Sequence, residues 1–212
     1  NVALGNTALD SVEAGGIKNT VIGSESGTAI TTGDGNTGVG YRSLLSTTTG
    51  TLNASFGDNS LRCNTTGANN TALGTSALFH NTTASFNTAV GSEALSTNTE
   101  GSNNVAVGRL SLKCNTTGSG NTGVGLRSGC TNQTSDSNTS MGQDSLRCNT
   151  GGCNTAIGRN AMENNTTASN NTAVGMNALI ANTTGSQSVA VGVCALNANT
   201  TGANNVAVGY QA

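Results

Sequence analysis

Proline and tryptophan are absent from this chain of 212 residues, and aromatic and charged residues make up only 2% and 8% of it. An ordinary globular core needs large apolar side chains, so this composition argues against a conventional compact domain. The formal charge of -2 gives no basic surface for nucleic acid or for an anionic membrane. No apolar run approaches the length of a membrane-spanning helix.

Residues suited to catalysis or metal binding are equally scarce. His80 is the single histidine, which excludes a histidine-based catalytic triad and a histidine-rich metal site. The ten carboxylates form no recurring pair at a spacing suited to acid and base roles, and the glycines occur without a phosphate-loop motif. We therefore expect no enzymatic activity and no cofactor, and we expect His80 to be an exposed loop residue.

What the chain does contain is one repeated unit of 17 residues, represented by NTAVGMNALIANTTGSQ at 171–187. The first copy has 18 residues, the ninth has 16, and the last is cut off at Ala212. We number the unit from position 1; its copies begin at Asn1, Asn19, Asn36, Asn53, Asn70, Asn87, Asn104, Asn121, Asn138, Asn154, Asn171, Ser188 and Asn205. A period this short is too small for a helix pair and fits one coil of a β-solenoid.

The repeat predicts a single all-β domain over 1–212, a parallel β-solenoid of about twelve 17-residue coils. Both ends fall inside a repeat, so we expect a segment of a longer fibre or a subunit with uncapped ends. Position 4 is apolar in every copy, position 5 is always Gly, position 8 is Ala or Ser, and position 9 is Leu or Met except at Gly27 and Gly129. This pattern predicts two short strands per coil, at about positions 2–4 and 7–10, joined at a glycine that needs a positive φ or a close backbone approach.

The first strand is apolar on both faces, because positions 3 and 4 point to opposite sides of a strand. One face can be buried in the narrow interior of the coil, and the other then needs a second chain. The pattern therefore predicts a homo-oligomer.

Asparagine occupies position 1 in twelve of the thirteen copies, with Ser188 as the exception. In other stacked β-structures, asparagine side chains at the same position of successive rungs hydrogen-bond to one another through their amides. We therefore predict a structural asparagine ladder here. Its predicted members are Asn36, Asn53, Asn70, Asn87, Asn104, Asn121, Asn138, Asn154, Asn171 and Asn205.

Positions 11 to 17 form a loop rich in Asn, Thr and Gly, which are turn-forming residues. Sequons for N-glycosylation recur at position 12 of this loop, at Asn64, Asn81, Asn115, Asn165, Asn182 and Asn199. Two interpretations stay open: the Asn-Thr-Thr turn matches the sequon by accident, which we favour, or the loop carries a regular row of glycans.

None of the six cysteines has the C-x-x-C spacing of zinc or redox motifs. If rungs are about 4.8 Å apart, Cys114 at position 11 and Cys130 at position 10 of the next coil fall within disulfide range. Cys148 and Cys153 flank a Gly-Gly loop in the shortened copy. We predict these two bridges, with Cys63 and Cys194 free or intermolecular.

The NTAVG and AL elements resemble the head repeats of trimeric autotransporter adhesins, and the longer N-T-T-G-S-N-N-T-A-V-G form resembles repeats of phage tail-fibre-like and bacterial surface-fibre proteins. The resemblance covers the whole chain. It implies a left-handed parallel β-roll that is trimeric, extracellular and adhesive, on a cell surface or a virion. The chain departs from the adhesin pattern by its extra loop residues.

We therefore expect a structural and adhesive component of an extracellular fibre, in which repeated loops give avidity for a cell-surface, glycan or matrix ligand. Its expected partner is itself, as a homotrimer or an end-to-end filament. One alternative is a receptor-binding segment of a phage tail fibre, and another is an ice-binding solenoid that uses threonine columns. Thr recurs at position 2, but a T-x-T array is absent from the strand because position 4 is a bulky apolar residue, and the column is interrupted by Val2, Val105, Val189 and Val206.

Overall fold

The structure is a computed structural model that describes residues 1–12 and 16–212. The loop of the first repeat copy at 13–15 lies outside the described residues. The described part contains thirteen β-strands of three residues each and no helix. The strands β1 to β13 are Val2–Leu4, Thr20–Ile22, Thr37–Val39, Ala54–Phe56, Thr71–Leu73, Thr88–Val90, Val105–Val107, Thr122–Val124, Thr139–Met141, Thr155–Ile157, Thr172–Val174, Val189–Val191 and Val206–Val208.

All thirteen strands form one parallel sheet, in the order of the sequence. Each strand pairs with the same positions of the next coil, so that Thr71 lies opposite Thr88 and Leu73 opposite Val90. The chain therefore makes one turn between successive strands and advances by one rung. This confirms the predicted all-β parallel solenoid of about twelve coils, while its left hand stays a prediction.

The second strand predicted at positions 7–10 is wrong. Positions 7 and 9 have a positive φ in all the coils that contain them, as at Glu93 (57°) and Leu95 (50°), so the backbone turns instead of extending. Ala94 and Leu95, at positions 8 and 9, are both fully buried, whereas consecutive residues of a strand point to opposite faces. The turn still bonds to its neighbour, since the Leu78 N–H donates to the Ala94 carbonyl at 3.0 Å.

The interior of the coil is narrow and is filled by small side chains and, in most rungs, by one leucine. Ala72, Ala77 and Leu78, from positions 3, 8 and 9, are fully buried. The apolar core divides into two clusters, one over coils 3–7 and one over coils 9–12. The division falls at the eighth coil because Gly123 and Gly129 replace the usual Ala and Leu there.

The glycine at position 5 has the conformation that the sequence predicts. Its φ lies between 128° and 142° throughout the array, a region that L side chains rarely adopt. The rungs also approach closely at this corner, because a Cβ on Gly91 would lie 2.7 Å from the carbonyl carbon of Gly108. Both the turn and the close approach therefore require glycine.

Candidate functional site

The predicted asparagine ladder at position 1 is present, and its principal bond is from backbone to side chain. Oδ1 of the buried Asn87 accepts the N–H of Asn104 at 2.9 Å, and its Nδ2 donates to the carbonyl of Gly101 at 2.9 Å. Ser188 continues the ladder, since its Oγ accepts the N–H of Asn205 at 3.2 Å. Direct amide-to-amide bonds of 3.1 Å are made by Asn36, Asn53 and Asn70. The amides are thus occupied in joining coils.

A second asparagine ladder runs along position 12, inside the loop. Nδ2 of Asn115 donates to Oδ1 of Asn98 at 2.8 Å and to the carbonyl of Gly118 at 2.9 Å, and Asn115 is fully buried. Sequence reasoning missed this ladder, although the signal was the one that revealed the first ladder, an asparagine in nine successive coils. Its members are Asn64, Asn81, Asn98, Asn115, Asn132, Asn149, Asn165, Asn182 and Asn199.

This ladder contains the six candidate glycosylation sites, so the folded chain contradicts that assignment. Five of them are fully buried, namely Asn64, Asn81, Asn115, Asn165 and Asn182. Asn199 is half-buried, and its Nδ2 donates to Asn182 and to the carbonyl of Gly202. An N-linked glycan replaces one hydrogen of Nδ2 and needs open space beyond it. The Asn-Thr-Thr pattern is therefore turn and ladder chemistry.

We expect folded protein secreted from a eukaryotic host to carry no glycan at Asn115 or the other position-12 asparagines. Glycans are expected instead on Asn69, Asn164 and Asn170, which are exposed and also lie in sequons. Glycopeptide mass spectrometry of the monodisperse fraction measures the occupancy of each site. A glycan on Asn115 in that fraction would contradict the burial of the ladder.

All six cysteines are free thiols, so neither predicted disulfide is formed. Cys148 and Cys153 are hydrogen-bonded to the coils on opposite sides of their own. The Cys148 N–H donates to the backbone carbonyl of Glu163 at 3.0 Å, and the Cys153 N–H donates to the backbone carbonyl of Asp136 at 3.1 Å. Those bonds hold the two backbones apart.

Cys114 and Cys130 are neighbours across one rung, where the Cys114 N–H donates to the Cys130 carbonyl at 3.0 Å. Burial raises the pKa of the Cys130 thiol. A raised pKa keeps the thiol protonated at neutral pH and slows the thiolate chemistry that forms a disulfide.

Charged side chains pair across rungs at positions 7 and 10, on one edge of the coil. The Arg42 guanidinium lies 2.8 Å from the Glu25 carboxylate, and its hydrogen bond holds the pKa of Glu25 below the usual value. Two further pairs are Arg127–Asp144 at 2.8 Å and Arg147–Glu163 at 2.7 Å. The Asp144 carboxylate is buried, whereas the Arg42–Glu25 and Arg147–Glu163 pairs are partly open to solvent, and ion pairs of that kind contribute little to stability. Their effect here is to neutralise the edge.

A shallow depression of about 310 Å³ lies on the same edge and includes Phe79, His80, Glu93 and Lys113 in its lining. His80 is exposed, as predicted, and its Nδ1 lies 3.0 Å from the carbonyl oxygen of Ser96. Glu93 and Lys113 form an ion pair of 2.7 Å. Within residues 1–12 and 16–212, no group of three or more His, Cys, Asp or Glu side chains is placed to hold a metal ion.

An apolar column lies on the outer face of the sheet and is formed by position 4. Phe56, Leu73 and Met141 are 39%, 48% and 41% exposed. The column comprises Leu4, Ile22, Val39, Phe56, Leu73, Val90, Val107, Val124, Met141, Ile157, Val174, Val191 and Val208. Eight of these side chains are exposed and five are half-buried, namely Val39, Val90, Val107, Val124 and Val174, so the column is partly open to solvent along the sheet.

The fold and these surfaces define the class of the molecule as a β-solenoid repeat protein with two internal asparagine ladders. Comparison of the chain with models of known protein families, with curated protein sequences and with solved structures found no match. Among the described residues there is no helix of the length and apolarity that a membrane crossing requires.

Proposed function

We propose that the chain is a structural and adhesive segment of an extracellular fibre, assembled side by side from copies of itself. The observation that carries this proposal is the apolar column at position 4. Continuous apolar surface of this length is unusual on a monomer and marks an interaction site. A partner that covers it must offer a matching feature at every rung, and a second copy of the chain has that spacing by construction.

The size of the column supports self-association. A partly exposed side chain of this kind leaves on the order of 60 Å² uncovered, so the thirteen residues offer roughly 800 Å² per chain, the share of one partner in a standard interface. Position 6 adds exposed apolar side chains beside the glycine corner, including Tyr41, Leu126 and Met176. The resemblance to adhesin head repeats implies three copies around one axis, an arrangement that brings three apolar columns into a common core.

The proposed role is mechanical. At about 4.8 Å per rung, the array makes a rod of roughly 58 Å whose coils are joined by backbone bonds and by both asparagine ladders. The loops at positions 11–17 are repeated once per rung along the rod. Repeated display converts weak contacts with a cell-surface, glycan or matrix ligand into avidity.

Light scattering during size-exclusion chromatography tests the assembly. We expect a particle of about three times the chain mass of 20.8 kDa. The triple variant Val90→Lys, Val107→Lys and Val124→Lys is expected to be monomeric, because three ammonium groups in an apolar interface are costly to desolvate. Rods longer than about 58 Å in negative-stain electron microscopy would add end-to-end joining.

The matched control is the triple variant Thr49→Lys, Thr66→Lys and Thr83→Lys, which places the same charge at position 14 of the loop. This control is expected to keep the oligomer. A monomeric unmodified chain would contradict the proposed assembly, as would loss of the oligomer in the control alone.

A further inference from the structure

Two adjacent threonine columns run along the loop side of the solenoid, at positions 13 and 14, and we call them the threonine face. Position 13 is threonine in ten of the eleven coils from the second to the twelfth: Thr31, Thr48, Thr65, Thr82, Thr99, Thr116, Thr150, Thr166, Thr183 and Thr200. The shortened ninth coil lacks position 14, and Glu100 occupies it in the sixth. The other nine coils carry Thr32, Thr49, Thr66, Thr83, Thr117, Thr134, Thr167, Thr184 and Thr201.

The hydroxyls of position 13 are committed to the fold. Oγ1 of Thr65 donates to the carbonyl of Thr82 at 3.0 Å, and Thr82 repeats this bond to Thr99 at 3.2 Å. Equivalent bonds run along most of the array, including the coils of Thr166 and Thr183. These bonds tie the position-13 side chains to the spacing of the rungs.

The hydroxyls of position 14 are not used by the fold. All nine threonines are exposed, and in the part of the chain that the structure describes none of their Oγ1 atoms has a hydrogen-bond partner within the chain. The backbone does not require threonine either. The N–H of Glu100 bonds to the next coil at 3.1 Å, much as the N–H of Thr66 does at 3.3 Å.

The repeat copies differ from one another at many exposed positions, so a threonine that is kept at one exposed position indicates a role for that residue. Other exposed positions differ freely between coils, as position 6 does in Tyr41, Asp58, Thr75 and Ser92. From the second to the twelfth coil, position 14 has kept threonine in nine of the ten coils that have it, although its side chain makes no hydrogen bond there. An exposed side chain that the fold does not use and that is kept in this way has a role at the surface.

We propose that the threonine face binds ice. It presents hydroxyls and methyl groups in straight rows at about 4.8 Å, a spacing set by the sheet and close to the repeat of water oxygens in the ice lattice. The fixed methyl groups order water beside them, and the free hydroxyls anchor that ordered layer by hydrogen bonds. Glu100 is the single charged side chain in the two columns. The columns contain no aromatic ring of the kind that stacks on sugars.

The threonine column at position 2 is less suited to this role. Valine interrupts it at Val105 and Val189, and it lies beside the apolar column that the proposed assembly covers. Ice binding does not depend on the fibre proposal, since a monomer presents the same face.

Ice recrystallisation and thermal hysteresis assays on the 212-residue chain test the proposal. We expect inhibition of recrystallisation and faceted ice crystals. The triple variant Thr49→Lys, Thr66→Lys and Thr83→Lys is expected to need at least ten-fold more protein for the same inhibition. Glu100→Thr is expected to raise the activity several-fold, because it completes an unbroken column from Thr32 to Thr134.

The control is the triple lysine variant of the apolar column at Val90, Val107 and Val124, which is expected to keep full ice activity. Circular dichroism and the unfolding midpoint are expected to be unchanged in the threonine variants, so that loss of activity is not loss of fold. Absence of ice activity in the unmodified chain would overturn the proposal. So would loss in the apolar-column variant alone, which would place the ice contact on the sheet.

Polysaccharide is the competing occupant of the face. Sedimentation of the chain with insoluble cellulose or chitin, abolished by the threonine-face variant and accompanied by no ice activity, would overturn the proposal in favour of a sugar-binding surface.

Discussion

Replacing Gly91 by alanine is expected to lower the free energy of unfolding by about 4 kcal/mol, at the upper end of single substitutions. The φ of Gly91 is 128°, where an L residue is strained by roughly 1 to 3 kcal/mol. The new Cβ would also lie 2.7 Å from the carbonyl carbon and 2.8 Å from the carbonyl oxygen of Gly108. These backbone atoms cannot move away freely, because the Gly108 N–H donates a hydrogen bond to the Val90 carbonyl at 2.7 Å.

The position of Gly91 in the middle of the array adds a qualitative effect. Each coil of a repeat protein is stabilised by its neighbours, so a weakened interface reduces the cooperativity between the two halves. Urea denaturation followed by circular dichroism is expected to show a lower midpoint and a split transition.

The matched control for Gly91 is Gly120→Asn, another glycine with a positive φ. Its φ is 67°, a value that asparagine tolerates, and the nearest atom to an added Cβ is the Ser137 hydroxyl at 3.8 Å. The equivalent residue in the preceding coil is Asn103, with a φ of 60°. We expect a change within about 0.5 kcal/mol. Equal losses in the two variants would contradict the argument from the close approach of rungs.

Replacing Asn87 by alanine is expected to cost about 2 to 4 kcal/mol. The substitution removes the acceptor of the Asn104 N–H and the donor to the Gly101 carbonyl, and both groups stay inside the coil. A buried polar group without a partner costs about 1 to 3 kcal/mol. Chemical denaturation of the variant, with the wild type measured in parallel, gives the difference.

Two other substitutions of Asn87 separate hydrogen bonding from packing. Asn87→Ser is expected to cost less than alanine, because Ser188 already accepts a rung N–H in the natural ladder. Asn87→Asp is expected to lower the free energy of unfolding more than Asn87→Ser at neutral pH. The carboxylate would be buried, and its oxygen would be repelled by the carbonyl oxygen of Gly101.

The aspartate variant also predicts a pH dependence. Burial raises the pKa of the new carboxyl in the folded state, so the folded state binds more protons than the unfolded state near that pKa. Stability is therefore expected to rise as the pH falls towards 4, and the difference from serine is expected to shrink. Loss of stability with falling pH, beyond that of the wild type, would contradict a buried carboxyl at this position.

The turn at positions 7 to 10 shows where reasoning from sequence was misled. Alternating small and large residues such as Ala94 and Leu95 have the pattern of a strand, and leucine rarely adopts a positive φ. The path of the chain around the coil imposes this conformation, and burial of the leucine offsets its energetic cost. Local residue propensities cannot predict a conformation that the stacking of coils imposes.

Position 12 shows the same limit for a functional site. The Asn-Thr-Thr sequence is equally suited to an exposed, modified loop and to a turn that points its asparagine inward. Only the path of the loop places Asn115 beneath Asn98 and opposite Gly118. The absence of the Cys148–Cys153 bridge has a related cause, since bonding to opposite neighbours is a property of the stacked coils.

The sequence by itself determined the number of coils, the parallel sheet, the glycine corner and the apolar character of both faces of the strand. It did so because a repeat of fixed length imposes one conformation many times, so that each rung confirms the same constraint. The tertiary structure decided which polar side chains hydrogen-bond within the coil and which stay exposed without a hydrogen-bond partner in the chain. Thr65 and Thr66 are identical neighbours in the sequence, and only the stacking of coils bonds the first hydroxyl and leaves the second open to solvent.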